Sequence, residues 1–160
     1  MQFLANKKII LAVIGILIIG AIALIALNFL HSDPQITVGQ KLIVTVTADL
    51  VEDMYGYQFK MNYDKDELGY SGEQTSEISE IQTIFYKLFE GYVLIGATMI
   101  GDKSGVSGKN IPVCQIIFTA NMDGKLSDFS LTMEGINVVK SDLAYEENLS
   151  EWSFSVSTEK

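Results

Sequence analysis

The stretch GQKLIVTVTADLVEDMYGYQFKMNYD, Gly39–Asp64, decides the fold. Leu42, Val44, Val46 and Ala48 alternate with Ile43, Thr45 and Thr47. Farther on, Tyr55, Tyr57, Phe59, Met61 and Tyr63 alternate with Gly56, Gln58, Lys60 and Asn62. A period of two places each set on one face of a pleated strand. The stretch therefore reads as two strands joined by a short acidic loop. In the second strand the odd positions are large and apolar or aromatic, and the even ones are small or polar. One dry face and one wet face point to an antiparallel sandwich rather than a doubly covered parallel sheet. Five such side chains contribute about 1.5–3 kcal/mol each when fully buried. The second strand is the expected centre of the core.

Working outward, Ile36 and Val38 suggest a first strand before a Gly39-Gln40-Lys41 turn, and Asp64 to Leu68 reads as a turn latched by Leu68. The three carboxylates of that turn lack the central Gly and terminal Glu of a calcium loop. Ser71 to Glu80 is polar. Ile78, Ile81, Ile84, Phe85 and Leu88 then recur at three- and four-residue spacing, which predicts a short helix covering the sandwich. Glu77 and Glu80 suit its start and Gly91 its end. Tyr92–Ile100 is a strongly apolar strand. The Gly- and Ser-rich loop Gly101–Gly108 precedes another strand and lacks a Gly-Lys-Ser/Thr ending, so it is no phosphate cradle. Ile111–Ala120 forms the next strand, and Asp123-Gly124 is a turn signal. Phe129, Leu131 and Met133 alternate, Gly135 marks a bulge before Ile136 and Val138, and Trp152, Phe154 and Val156 alternate near the end. About nine short strands describe an all-β sandwich or jelly roll with one short helix.

Ahead of this domain, Ile9–Leu30 carries no charge over 22 residues, enough for a helix of about 33 Å that crosses a bilayer. A cleavable signal peptide is the competing reading, but its apolar region runs about 7–15 residues and ends at a small-residue cleavage site. Here the run is longer and its alanines lie inside it, which favours an uncleaved transmembrane anchor. Lys7 and Lys8 place the N-terminus in the cytoplasm and the rest outside. The expected division is a cytoplasmic segment 1–8, a transmembrane helix 9–30, a linker 31–34 and a β-sandwich 35–157.

Every basic residue is Lys; beyond the anchor, nine lysines meet 20 acids, a balance of roughly −11 that argues against nucleic acid or anionic lipid as partner. Cys114 is the single cysteine and His31 the single histidine. An exported domain here is stable by packing alone, without a disulfide. Cys114 shares a strand face with Ile116, Phe118 and Ala120 and reads as a small buried hydrophobe. With no His in the domain, no nucleophile–base pair and no metal-ligand cluster, nothing supports an enzyme or a cofactor.

Val38-Gly39-Gln40, the alternating strand, Met54-Tyr55-Gly56-Tyr57-Gln58-Phe59, and Tyr63-Asp64 followed by Leu68 resemble the opening of a cohesin domain. Gly91-Tyr92-Val93-Leu94-Ile95-Gly96, the loop to Gly108 and Ile116-Ile117-Phe118-Thr119-Ala120 resemble its later half. The resemblance implies a nine-stranded jelly roll, a fold shared with some carbohydrate-binding modules, that holds a dockerin module through one sheet face. The implied contact residues are Gln58, Lys60 and Asn62, with Thr98, Ile100, Asp102 and Lys103 beside the loop. Gly56 stands where the pattern implies a polar contact, a departure that bears on which dockerin fits.

The leading expectation is thus a membrane-anchored, extracytoplasmic module that binds a dockerin-type protein at the cell surface. Carbohydrate binding on the same scaffold is the alternative. A flat polysaccharide site needs exposed planar aromatics, yet Tyr55, Tyr57, Phe59 and Tyr63 have dry-face parity, leaving Trp152 as the one contributor. The anchor is testable: the full-length chain should stay with the membrane fraction through a carbonate wash. A mature N-terminus found beyond Ile22 would instead identify a cleaved signal.

Overall fold

The computed structural model describes residues 33–81, 83–142, 144–147 and 152–159. The expected transmembrane helix 9–30 lies outside them, as does segment 1–8. No helix among the described residues is long and apolar enough to cross a membrane. The strands in chain order are β1 (Gln35–Ile36), β2 (Lys41–Tyr63), β3 (Leu68–Ser76), β4 (Thr83–Phe89), β5 (Tyr92–Thr98), β6 (Val106–Ala120), β7 (Gly124–Lys125), β8 (Leu131–Lys140), β9 (Tyr145–Glu147) and β10 (Trp152–Thr158). A single 3₁₀ turn, Leu126–Asp128, separates β7 from β8.

The domain is all-β, and its organiser is one strand where two were expected. β2 runs unbroken for 23 residues and does not fold back on itself. Leu42–Ala48 pairs with β10 on one edge while Lys41–Met54 pairs with β6 on the other. Past the midpoint, Gly56–Asn62 pairs with β5 and Met54–Tyr63 with β8. All these pairings are antiparallel. The result is two layers sharing β2: β3-β6-β2-β10, and β4-β5-β2-β8-β9.

The acidic segment expected to be a loop is the crossing between layers. Asp53 there has φ of 57°, a left-handed conformation that Asp tolerates better than most residues. Its carboxylate accepts the Gly105 N–H at 3.0 Å through Oδ1, and the Ser141 N–H and hydroxyl at 3.2 and 2.7 Å through Oδ2. Its own N–H donates to Ser107 Oγ at 2.8 Å. A side chain at Gly105 would run into the Asp53 carbonyl at 2.5 Å, so this approach requires glycine.

The period-two reading of β2 holds on both halves. Leu42, Val44, Val46, Ala48, Phe59 and Met61 are fully buried and Tyr57 nearly so. Rings from the two layers meet between them. Trp152, opposite Ala48, sits edge-on to Tyr57 at 5.6 Å and tilted to Phe59 at 6.2 Å, and Phe118 meets Tyr63 edge-on at 5.1 Å. The bulge expected at Gly135 is present: its φ is 61°, and Gly135 and Ile136 together oppose Phe59 between the Gln58–Asn137 and Lys60–Glu134 pairs.

Three other expectations are corrected. The helix predicted through Ile78, Ile81, Ile84, Phe85 and Leu88 is a turn followed by β4. Ser76 Oγ accepts the Ile78 N–H and donates to its carbonyl, and the Ile81 N–H closes onto Ile78 O at 3.1 Å, so Ile78 and Ile81 plug the core from a loop. Phe85 and Leu88 are about half exposed, at 51% and 54%, which an inward helical stripe would not allow. Thr83–Phe89 is rich in β-branched and aromatic residues, and sheet pairing with β5 overrides the coincidental spacing. Part of the polar Ser71–Glu80 stretch belongs to β3, an edge strand that pairs with β6 around a bulge between Tyr70 and Gln74. Val38 lies in a turn and is exposed rather than continuing β1.

Two measurements test this architecture. Phe59→Ala should cost about 3–5 kcal/mol in denaturant melts, while Lys60→Ala should stay within about 0.5 kcal/mol; equal effects would mean the register is one residue off. Hydrogen bonds from Ser141, then the Gly105 N–H and the nearby Lys140 charge, hold the Asp53 carboxyl below the usual carboxylate range against an opposing effect of burial. A depressed folded-state value stabilises the fold above the unfolded value near 4, and that gain disappears as pH falls through the folded one. Asp53→Asn should therefore be less stable than the parent near neutrality, with the gap closing from about pH 5 downward. A gap independent of pH would show that the ionised carboxylate contributes nothing.

Candidate functional site

The outward face of the β4-β5-β2-β8 layer gathers chemistry that no single strand carries. Antiparallel register sets the rows: Phe85–Gly96–Gln58–Asn137, Lys87–Leu94–Lys60–Glu134, and Phe89–Tyr92–Asn62–Thr132. Successive rows are about 6.8 Å apart along the strands. Gln58, Lys60 and Asn62 are each partly buried on this face.

Charge and aromatic groups interleave. Phe89 and Tyr92 stack with centroids 4.6 Å apart and planes 11° from parallel. The Lys60 ammonium lies 5.6 Å from the Tyr92 centroid and the Lys87 ammonium 5.1 Å from that of Phe89, both within cation–π reach. Lys60 also approaches Glu134 at 3.9 Å, and Asn62 Nδ2 donates to Thr132 Oγ1 at 3.3 Å. Both ammonium groups of this face thus sit against rings, on a chain whose net charge is −9.

Two glycines shape the neighbouring row. A side chain at Gly96 would meet the Phe85 ring at 2.3 Å, so that ring lies directly across the glycine. A side chain at Gly56 would meet the Ala97 carbonyl at 2.8 Å. Beside Gly56 is a hollow of about 250 Å³ lined by Gly56, Gln58, Phe85, Thr98, Asn137 and Val139, among others. The position where a polar contact was implied is thus the floor of a recess.

Of the seven residues expected at the site, Gln58, Lys60, Asn62 and Thr98 share this face; Thr98 stands opposite Gly56. Its hydroxyl donates to the Met99 carbonyl at 3.1 Å. Ile100, Asp102 and Lys103 are exposed on the loop that leaves β5, where Tyr55 Oη donates to the Gly101 carbonyl. Sequence reasoning missed Phe85, Lys87 and Phe89 because their strand read as a helix. It also left out Tyr92 and Leu94, although their alternation with Val93 and Ile95 signals the same outward parity as Thr98. Trp152 is buried at 8% exposure and offers nothing to a ligand.

Cys114 lies in the core, where burial pushes its thiol up to about 12. It stays protonated at neutral pH and behaves as the small hydrophobe its neighbours suggested. No cluster of three or more metal-ligating side chains occurs among the described residues.

The sequence matches no family profile and no curated protein. Solved structures do match the fold. A cohesin module of a family 33 glycoside hydrolase from Clostridium perfringens aligns at TM-score 0.52 with 16% identity, over 77% of this chain and 97% of that one. The domain has a cohesin-like fold. A non-cellulosomal cohesin from the hyperthermophilic archaeon Archaeoglobus fulgidus aligns at 0.51 with 16% identity, covering 68% and 74% of the two chains. The sixth cohesin of scaffoldin B from Acetivibrio cellulolyticus, solved in complex with a mutant Cel5 dockerin, aligns at 0.55 with 14% identity over 69% and 86%. At these identities the likeness is one of architecture. The cohesin-like domain keeps the two-layer frame and fills its outer face with its own residues.

Proposed function

We propose that this chain is a cohesin-type protein-binding module that docks a dockerin-type partner on the outward β4-β5-β2-β8 face. In this reading the 9–30 segment anchors it in the membrane, with the N-terminus cytoplasmic and the domain displayed at the cell surface. The observation that carries the reading is the composition of that face: amides and ammonium groups at Gln58, Asn62, Lys60 and Lys87, set among apolar surface at Phe85, Leu94 and Tyr92. Apolar area supplies burial, and the interspersed polar groups fix orientation, as in transient protein interfaces. One of the cohesins sharing the fold is solved with a dockerin bound, which supports the partner class. Fold likeness alone does not assign a partner.

Polysaccharide binding ranks second. In favour of it, Phe85 presents a half-exposed ring on this face. Against it, Phe89 and Tyr92 are stacked on each other with an ammonium near each ring, so little of their planar surface is left for a sugar. A protein partner uses such a mixed, stepped surface better than a flat chain of sugars does.

The test is capture by the full chain. Changing Gln58, Lys60 and Asn62 together to Ala should shift stability by about 1 kcal/mol or less yet abolish capture of dockerin-bearing proteins from the same cell's secreted fraction. Retention on insoluble polysaccharide, with no protein captured by the parent chain, would transfer the function to the alternative.

A further inference from the structure

The outward face holds a recess toward one end and a pair of ammonium groups beyond it. The recess spans two rows, Thr98–Gly56–Val139 and Phe85–Gly96–Gln58–Asn137. Gly56 lies at its floor, Phe85 and Val139 line it, and the Thr98 hydroxyl already donates to the Met99 carbonyl. Among the described residues no charged one lines it. An apolar cavity of about 150 Å³ accepts benzene, so a hollow of about 250 Å³ has room for a Leu, Ile or Met side chain. A charged side chain there would be buried without a counter-charge.

Lys60 and Lys87 stand one row farther, on either side of Leu94, and reach toward the rings of the row beyond, Tyr92 and Phe89. Glu134 shares their row, and register sets Glu147 at the margin, beside Asn137 on β9. The 3.9 Å approach of Lys60 to Glu134 joins two exposed side chains, a pair of small energetic weight that a better-placed carboxylate can displace.

We propose that the partner presents a helix with a large aliphatic side chain for the recess and, about two turns away on the same face, an Asp or Glu for Lys60 and Lys87. This rests on the protein-binding reading above and names the chemistry of its partner. The spacing carries it. From the recess to the ammonium groups is one and a half to two rows, about 10–14 Å. A helix lying along the strands covers about 10.5 Å in seven residues and returns to the same face. Partly buried Leu94 adds apolar contact between the two anchors. On a chain of net charge −9 most of the surface repels an acidic side chain, so these two ammonium groups fix the register in which the helix docks.

The test takes the full chain in a non-ionic detergent, first against the secreted fraction and then against the captured protein, purified. Val139→Phe fills the recess from an outward position where an aromatic suits a strand. It should leave the melting curve nearly unmoved and weaken binding by about ten-fold or more. Lys87→Glu should weaken binding by about ten-fold, more at low ionic strength than at high. Changing the partner's acid to Lys should bring its binding to the Lys87→Glu chain back to within about three-fold of the parent pair. If the parent chain captures no protein, or is retained only by an acidic polysaccharide, the module reading falls and this inference with it. A captured protein indifferent to Val139→Phe or to Lys87→Glu, or a loss that the reversed partner does not recover, leaves that reading standing and overturns this inference alone.

Discussion

One strand belongs to both layers, and the rest of the structure depends on that sharing. β2 is hydrogen-bonded along both edges, to β6 and β10 in its first half and to β5 and β8 in its second. The layers therefore cannot part without breaking a continuous backbone ladder. Sharing imposes a local requirement: the chain must change sheets midway, and a regular strand cannot do so without irregular dihedrals. Asp53 meets the requirement with a left-handed backbone and a carboxylate that ties the loop before β6 to the turn after β8. Opposing this strain are three hydrogen bonds to the side chain and one from the backbone N–H. An acidic residue is suited to the place because one carboxylate accepts from several donors at once.

With no disulfide to restrain the chain, the space between layers is filled by large side chains in close contact. Trp152 comes from β10, the last strand, and touches Tyr57 and Phe59 from the second half of β2. Closing the core thus requires the C-terminal strand to seat beside the first half of the strand whose second half it packs against. Contacts so distant in sequence slow folding relative to local ones. They also make the folded state cooperative, because removing either partner opens the same core.

The strand parities were legible because a period of two survives whatever the neighbours do. Phe59 inward and Lys60 outward follow from alternation alone. What the sequence left hidden depends on pairing. Glu52-Asp53 resembles a hairpin turn, and only the neighbouring strands make it a crossing. TIFYKLF satisfies helical and strand periodicities at once, and the tie is broken by β5, whose Gly96 makes room for the Phe85 ring. β3 is obscured because an edge strand with a bulge needs little apolar patterning. For the site, Gln58, Lys60 and Asn62 could be found on one strand. Their row partners could not, since nothing in one strand's pattern says that β8 and β5 flank it, and β4 satisfies a helical spacing as well.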